Sequence, residues 1–148
     1  MIKDIALFIL SHSGLPWTLD EDFFVGHLPA RNKNGDLVEN MKRVMVILER
    51  VPGAVIGDLP DRCDKAIQVW NRAGSYFVAA EDAEQIFAIL HGATGWDMVP
   101  PVGSAPEYYA MTIDAVASPA PIAAPNEKGL FEFSTNYVFR IEGNPAVP

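Results

Sequence analysis

The chain has 148 residues, 49% of them hydrophobic, which is one ordinary domain with enough apolar material for a core and argues against wholesale disorder. Its formal net charge is −8, with 19 acids against 11 bases, a poor balance for gripping nucleic-acid phosphates. The single cysteine, Cys63, excludes an internal disulfide and any cysteine-only metal site, and the apolar run Ile5–Leu10 is too short to span a membrane. Lys3 is followed at once by Asp4, which does not suit a secretory leader.

The acid excess is uneven: residues 1–50 hold seven acids and six bases, and the remainder twelve and five. In chain order, Ile2–Ser13 predicts a short helix, because Ile2, Ile5, Ala6, Ile9 and Leu10 recur at spacings of three and four. Ser13-Gly14 and Pro16 end it. Phe23–Leu28 predicts a short strand closed by Pro29. Residues 30–41 form a polar loop with Asn34-Gly35 as its turn. Lys42–Val51 predicts a strand apolar on both sides, hence central. The Gly- and Pro-rich residues 52–63 predict a loop, Lys65–Asn71 a strand and Arg72–Ser75 a turn.

Phe77–His91 is the clearest helix. Ala79, Ala83, Ile86, Phe87 and Leu90 build one apolar stripe, Glu81, Asp82 and Glu84 lie toward its start, and Gly92 suits its C-terminal cap. Ala93–Glu107 predicts a loop in which Trp96, Met98 and Val99 can add a short strand. Two extended segments follow, Tyr108–Ala117 and Leu130–Arg140, separated by the Pro-rich residues 118–129. In the last segment Phe131, Phe133, Thr135, Tyr137 and Phe139 alternate with Glu132, Ser134, Asn136, Val138 and Arg140. That period of two marks a strand with one apolar face. The expected fold is α+β: a single domain over residues 1–148, with one mixed or antiparallel sheet and two helices packed on one face.

Residue types that carry catalysis do not converge in the sequence. His12, His27 and His91 show no His-x-x-x-His or His-x-x-Cys spacing. Asp58, Asp61 and Asp64 recur every three residues around Pro60 without a calcium-loop pattern. Ser11 and Ser13 flank His12 without a nucleophile elbow, and residues 53–57 lack the dinucleotide fingerprint. The expectation is a protein that is not an enzyme and uses no metal or cofactor.

Four segments, in order, resemble the tail terminator proteins of long-tailed bacteriophages, also called tail completion or minor capsid proteins. They are Phe23-Phe24-Val25-Gly26-His27-Leu28-Pro29, then Val44–Glu49, then Ala66-Ile67-Gln68-Val69-Trp70-Asn71-Arg72 leading through Tyr76, Ala79, Ala83, Ile86 and Leu90. The fourth runs from Ala117–Pro121 through Asn126-Glu127-Lys128-Gly129 to Phe131–Arg140 with its Asn136-Tyr137 pair. The loop Arg31–Met41 is longer than the family pattern, and Gly143–Pro148 carries extra prolines.

The resemblance implies a structural virion protein at the head–tail junction. Such proteins form a ring, typically a hexamer, that caps the tail tube, ends its polymerisation and provides the joint to the head-completion proteins. Expected partners are further copies of the chain, the tube protein and a connector protein; genomic DNA passes through without specific binding, and no membrane is involved. Candidate interface residues are Arg31, Lys33, Asp58, Arg72, Pro119, Pro121, Pro125 and Arg140. Candidate lumen charges are Asp58, Asp61, Asp64, Glu81, Asp82 and Glu84. Two other readings stay open at this point: a different head–tail connector component, and a small non-viral protein, either a binding or immunity protein or an enzyme of unrecognised type.

Overall fold

A computed structural model describes residues 2–12, 14–50, 62–98, 108–122, 126 and 128–143. The first helix, α1, spans Ile2–Leu10, and the second, α2, spans Tyr76–Leu90. The strands are β1 (Phe23–Val25), β2 (Val44–Glu49), β3 (Arg62–Ala73), β4 (Ala93–Met98), β5 (Tyr108–Ala115), β6 (Ala120–Pro121) and β7 (Phe131–Gly143). Six of them lie in the order β1-β2-β3-β7-β5-β4, and β6 pairs separately with β7. Only β1 and β2 run parallel; the other pairs are antiparallel. This is the expected mixed sheet with two helices on one face.

Strand alternation decides what lies where. Odd-numbered residues of β7, namely Phe133, Thr135, Tyr137, Phe139 and Ile141, are buried. On β3 the buried residues on the same face are Ile67, Val69, Asn71 and Ala73. Ile5 and Ile9 of α1, with Ile86 and Leu90 of α2, close over Met45, Ile47, Ile67, Val69, Ile113, Tyr137 and Phe139 to form the main core. The aromatic alternation in β7 is thus core. The polar step at Asn71 is satisfied within that layer, since its Nδ2 donates to the Ala79 carbonyl at 2.8 Å.

The opposite face is covered at one end by the chain's own loop. Val38 sits on Phe24, Val44 and Val46, with Met41, Leu48 and Trp70 around them. Residues 30–41 are shaped for this. Asn32 Oδ1 accepts the Asn34 and Asp36 N–H groups, Gly35 takes the left-handed φ of 86° that its turn requires, and a short 3-10 turn follows at Val38–Asn40.

Several boundaries differ from the sequence expectation. The strand from Lys65 extends in both directions because β7 pairs with it from Arg62↔Glu142 to Ala73↔Phe131. Ala93–Met98, expected mainly as loop, is an edge strand that pairs with β5. The stretch 118–129 is not a free excursion. Val116 N–H donates to the Asn136 carbonyl, β6 pairs Ala120↔Ser134 and Pro121↔Phe133, and Ile122 N–H donates to the Glu132 carbonyl. Together β5 and β6 form one arm of a long hairpin with β7, interrupted over residues 116–119. Pro121 is tolerated because β6 is a two-residue edge segment.

The hairpin's turn depends on Asn126, whose Oδ1 accepts both the Lys128 and Leu130 N–H groups at 3.0 Å. Replacing residues 119–126 with a Gly-Ser stretch therefore affects folding as well as any docking role. Lost turn bonds and lost proline rigidity are expected to cost about 1–3 kcal/mol in urea unfolding. An unchanged midpoint and slope would show that this arm adds nothing to the sheet.

Candidate assembly surfaces

The candidate residues fall on separate surfaces. Arg31 and Lys33 border an open cleft of about 310 Å³ beside β1, together with Asp20, Phe24, Val25, His27, Pro29 and Asn32. Apolar Phe24, Val25 and Pro29 share its lining with the carboxylate of Asp20, and its two cations are each held within the subunit. Arg31 Nη1 donates to the Gly35 carbonyl at 2.7 Å, and Lys33 Nζ lies 3.6 Å from Glu21. Both side chains remain in reach of solvent. The backbone beneath is pinned by Asp20, which adopts a φ of 64° and whose carbonyl accepts the Lys33 N–H at 3.0 Å.

Arg72 is buried, and its Nη2 donates to the Val38 and Met41 carbonyls, both at 2.8 Å. The guanidinium also lies 5.8 Å from the Trp70 ring centre. Burial lowers its pKa, and the nearby Glu132 partly offsets that. It therefore ties the 38–41 turn to β3. The expectation that Arg72 faces a neighbouring subunit is corrected: the side chain is buried and its Nη2 serves the chain's own loop.

Arg140 also binds within the subunit. It lies on the central strand β7, not at a sheet edge, and its Nη1 reaches Asp114 at 2.8 Å and Thr112 at 3.3 Å across β5. The pair stays half exposed. Asp64 is half-buried and stands opposite Arg140 in the β3–β7 register. Pro119 is half-buried and Pro121 exposed along the hairpin arm. Asp58, Asp61 and Pro125 lie outside the described residues.

The helix acids separate sharply. Glu81 and Glu84 are exposed, whereas Asp82 is buried and cannot line a lumen. Its carboxylate receives Arg43 Nε at 2.9 Å and Nη2 at 2.5 Å. Arg43 is held in turn over Trp17, 5.1 Å from the ring centre. The Asp82 hydrogen bond raises the Arg43 pKa, against the opposing effect of burial. Asp22, nearby in the same corner, has its pKa raised chiefly by burial. This corner joins β2 to α2 and was not visible as a pair in the sequence, since 39 positions separate the partners.

One exposed surface was also missed. At about 100° per residue, Phe77, Glu81, Glu84 and Ala88 share the side of α2 opposite the buried Ala79, Ala83, Ile86 and Leu90. Phe77 is 80% exposed, the most exposed large apolar side chain among the described residues. Tyr76 beside it is anchored against Phe131 and Phe133, with ring centres 6.0 and 5.4 Å away. The available signal was Phe77's position off the apolar stripe.

The histidines act locally. His91 stacks on Phe87 and its Nδ1 accepts the Ala115 N–H at 3.0 Å, so it clasps α2 to β5. Among the described residues no three His, Cys, Asp or Glu side chains gather as a metal site, and no helix is long and apolar enough to cross a membrane. No protein-family model matches the sequence, and no curated protein matches it significantly.

Proposed function

We propose that the chain is a structural ring protein of the tail terminator type, capping a phage tail tube and joining it to the head. The observation that supports this reading is the ordered resemblance of four segments to that family. Three of them supply β2, β3 and β7, which are neighbours at the centre of the sheet, and the other supplies β1 at its edge. Segments far apart in sequence thus belong to one contiguous structural unit, as expected if the resemblance reflects a shared domain.

In this reading the central sheet is a rigid frame, and function resides in the surfaces around it. One ring face complements the tube, and the other denies the next tube ring a matching surface. The test is electron microscopy of the full chain alone and mixed with purified tail tubes. The expected result is a closed ring, typically six-fold, seated at one tube end with a central passage wide enough for duplex DNA. A chain that remains monomeric in solution and leaves tube ends bare overturns the reading. Monomers in dilute solution alone do not, because the tube can act as a template for closure.

A further inference from the structure

The molecule carries two surfaces of opposite character on different elements. The cleft beside β1 is lined by Phe24, Val25 and Pro29, with Phe24 itself buried under Val38, and by the cations Arg31 and Lys33 together with Asp20. The outer side of α2 presents an exposed aromatic ring, Phe77, followed one and two turns later by Glu81 and Glu84. Phe77, Glu81 and Glu84 lie outside the main core, and of the cleft's lining only Val25 packs against it. We infer that they are the two halves of one head-to-tail contact: the Phe77–Glu84 ridge of one copy seats in the Arg31–Lys33 cleft of the next. The inference rests on the ring reading and names the surfaces that build the ring.

The argument for a second copy as occupant is charge and shape together. The chain is acidic overall, at −8, so two copies repel unless local complementarity overcomes the net field. The cleft offers Arg31, whose guanidinium meets a carbonyl and keeps its charge, and Lys33, which shares its charge with Glu21 at 3.6 Å, as partners for Glu81 and Glu84, and Pro29 as an apolar contact for the Phe77 ring. Arg31 is pre-positioned by its bond to the Gly35 carbonyl, which limits the side-chain entropy lost on docking. Tyr76, packed on Phe131 and Phe133, fixes the base of the ridge in the same way. Because ridge and cleft are different patches, each added copy leaves one of each unfilled. Such a contact is heterologous and closes only when the last ridge meets the first cleft.

The test uses charge exchange in the full chain. One variant carries Arg31→Glu and Lys33→Glu; the other carries Glu81→Lys and Glu84→Lys. Each alone should self-associate at least about tenfold more weakly than wild type in sedimentation, because like charges then face each other. Mixing them should restore association, since each reversed surface meets its reversed complement. Phe77→Ser should weaken assembly without altering charge. Circular dichroism spectra like wild type establish that the variants fold, as expected for exposed side chains.

Net repulsion alone predicts a different pattern. The ridge variant moves the formal charge toward zero, so it should then associate more strongly than wild type, and mixing should restore nothing. Either result overturns the ridge-and-cleft contact. Rings that form in all variants with wild-type affinity also overturn it while leaving the ring reading intact. A wild-type chain that never assembles, alone or on tubes, overturns both.

Discussion

Phe139→Ala is expected to destabilise the protein by about 3–5 kcal/mol, a large fraction of the roughly 5–15 kcal/mol typical of a folded domain. Phe139 is fully buried, and its β7 position stands opposite Lys65 of β3 and Ile113 of β5. It belongs to the core closed by Ile5, Ile9, Ile86 and Leu90, so truncation leaves a void that both layers line. Val138→Ala, one residue away, should cost about 1 kcal/mol or less, because Val138 is half-buried on the other face. Guanidinium unfolding of the two variants checks the pair. Equal losses would mean that β7 buries both faces alike, contrary to its alternation.

Arg43→Ala should cost about 3 kcal/mol and lower Tm by roughly 6–12 °C, more than its exposure suggests. Arg43 keeps 43% of its side chain exposed, but its partner Asp82 has only 1%. Removing the guanidinium strands a carboxylate under α2 with no counter-charge, and also removes the cation stacked on Trp17. The reverse truncation, Asp82→Ala, should cost less, about 1–2 kcal/mol, since a released Arg43 can turn toward water. Replacing both by apolar residues of similar size, Arg43→Met with Asp82→Leu, should recover most of the loss. Urea unfolding of all three variants forms a cycle whose coupling term measures the pair. Additive losses would show that the two side chains stabilise the fold independently.

These outcomes separate what was legible in the sequence from what was not. The alternation from Phe131 to Phe139 places those residues on one face without further information, because a strand has a period of two. The stripe of Ala79, Ala83, Ile86 and Leu90 does the same for α2. Gly92 also falls where expected, just past the helix, with a φ of 77°. Pairing across distance is a different matter. No local pattern says that Arg43 meets Asp82, or that Arg72 reaches the carbonyls of Val38 and Met41, because those contacts follow from where whole elements pack.

The hairpin arm at β6 was obscured for a related reason. Pro119, Pro121 and Pro125 read as loop because proline lacks the donor that a central strand needs. An edge segment of two residues needs no such donor at Pro121, so β6 pairs where composition argues against it. Among the candidate interface residues, Arg31 and Lys33 fall together on one cleft and stay exposed beside their own partners, Gly35 and Glu21, whereas Arg72 is buried on the chain's own loop and Arg140 is paired with Asp114. The sequence shows which residues are charged; only packing shows which charges are already used.

The place of β7 in the sheet bears on how the protein is made. It follows every other described element in chain order, yet it lies between β3 and β5. Until it is in place, β3 and β5 each present an unpaired side, and the apolar residues of both helices lack much of their floor. A nascent chain emerging from the ribosome therefore holds an unfinished sheet until β7 is free. Such edges invite pairing between unfinished chains. The β3–β7 ladder joins residues roughly 60–80 positions apart, a separation that slows folding relative to local structure. Yield in an expressing cell should then depend on chaperone supply and on the rate of synthesis, and chains stopped before β7 should be cleared by proteolysis without accumulating as a smaller folded form.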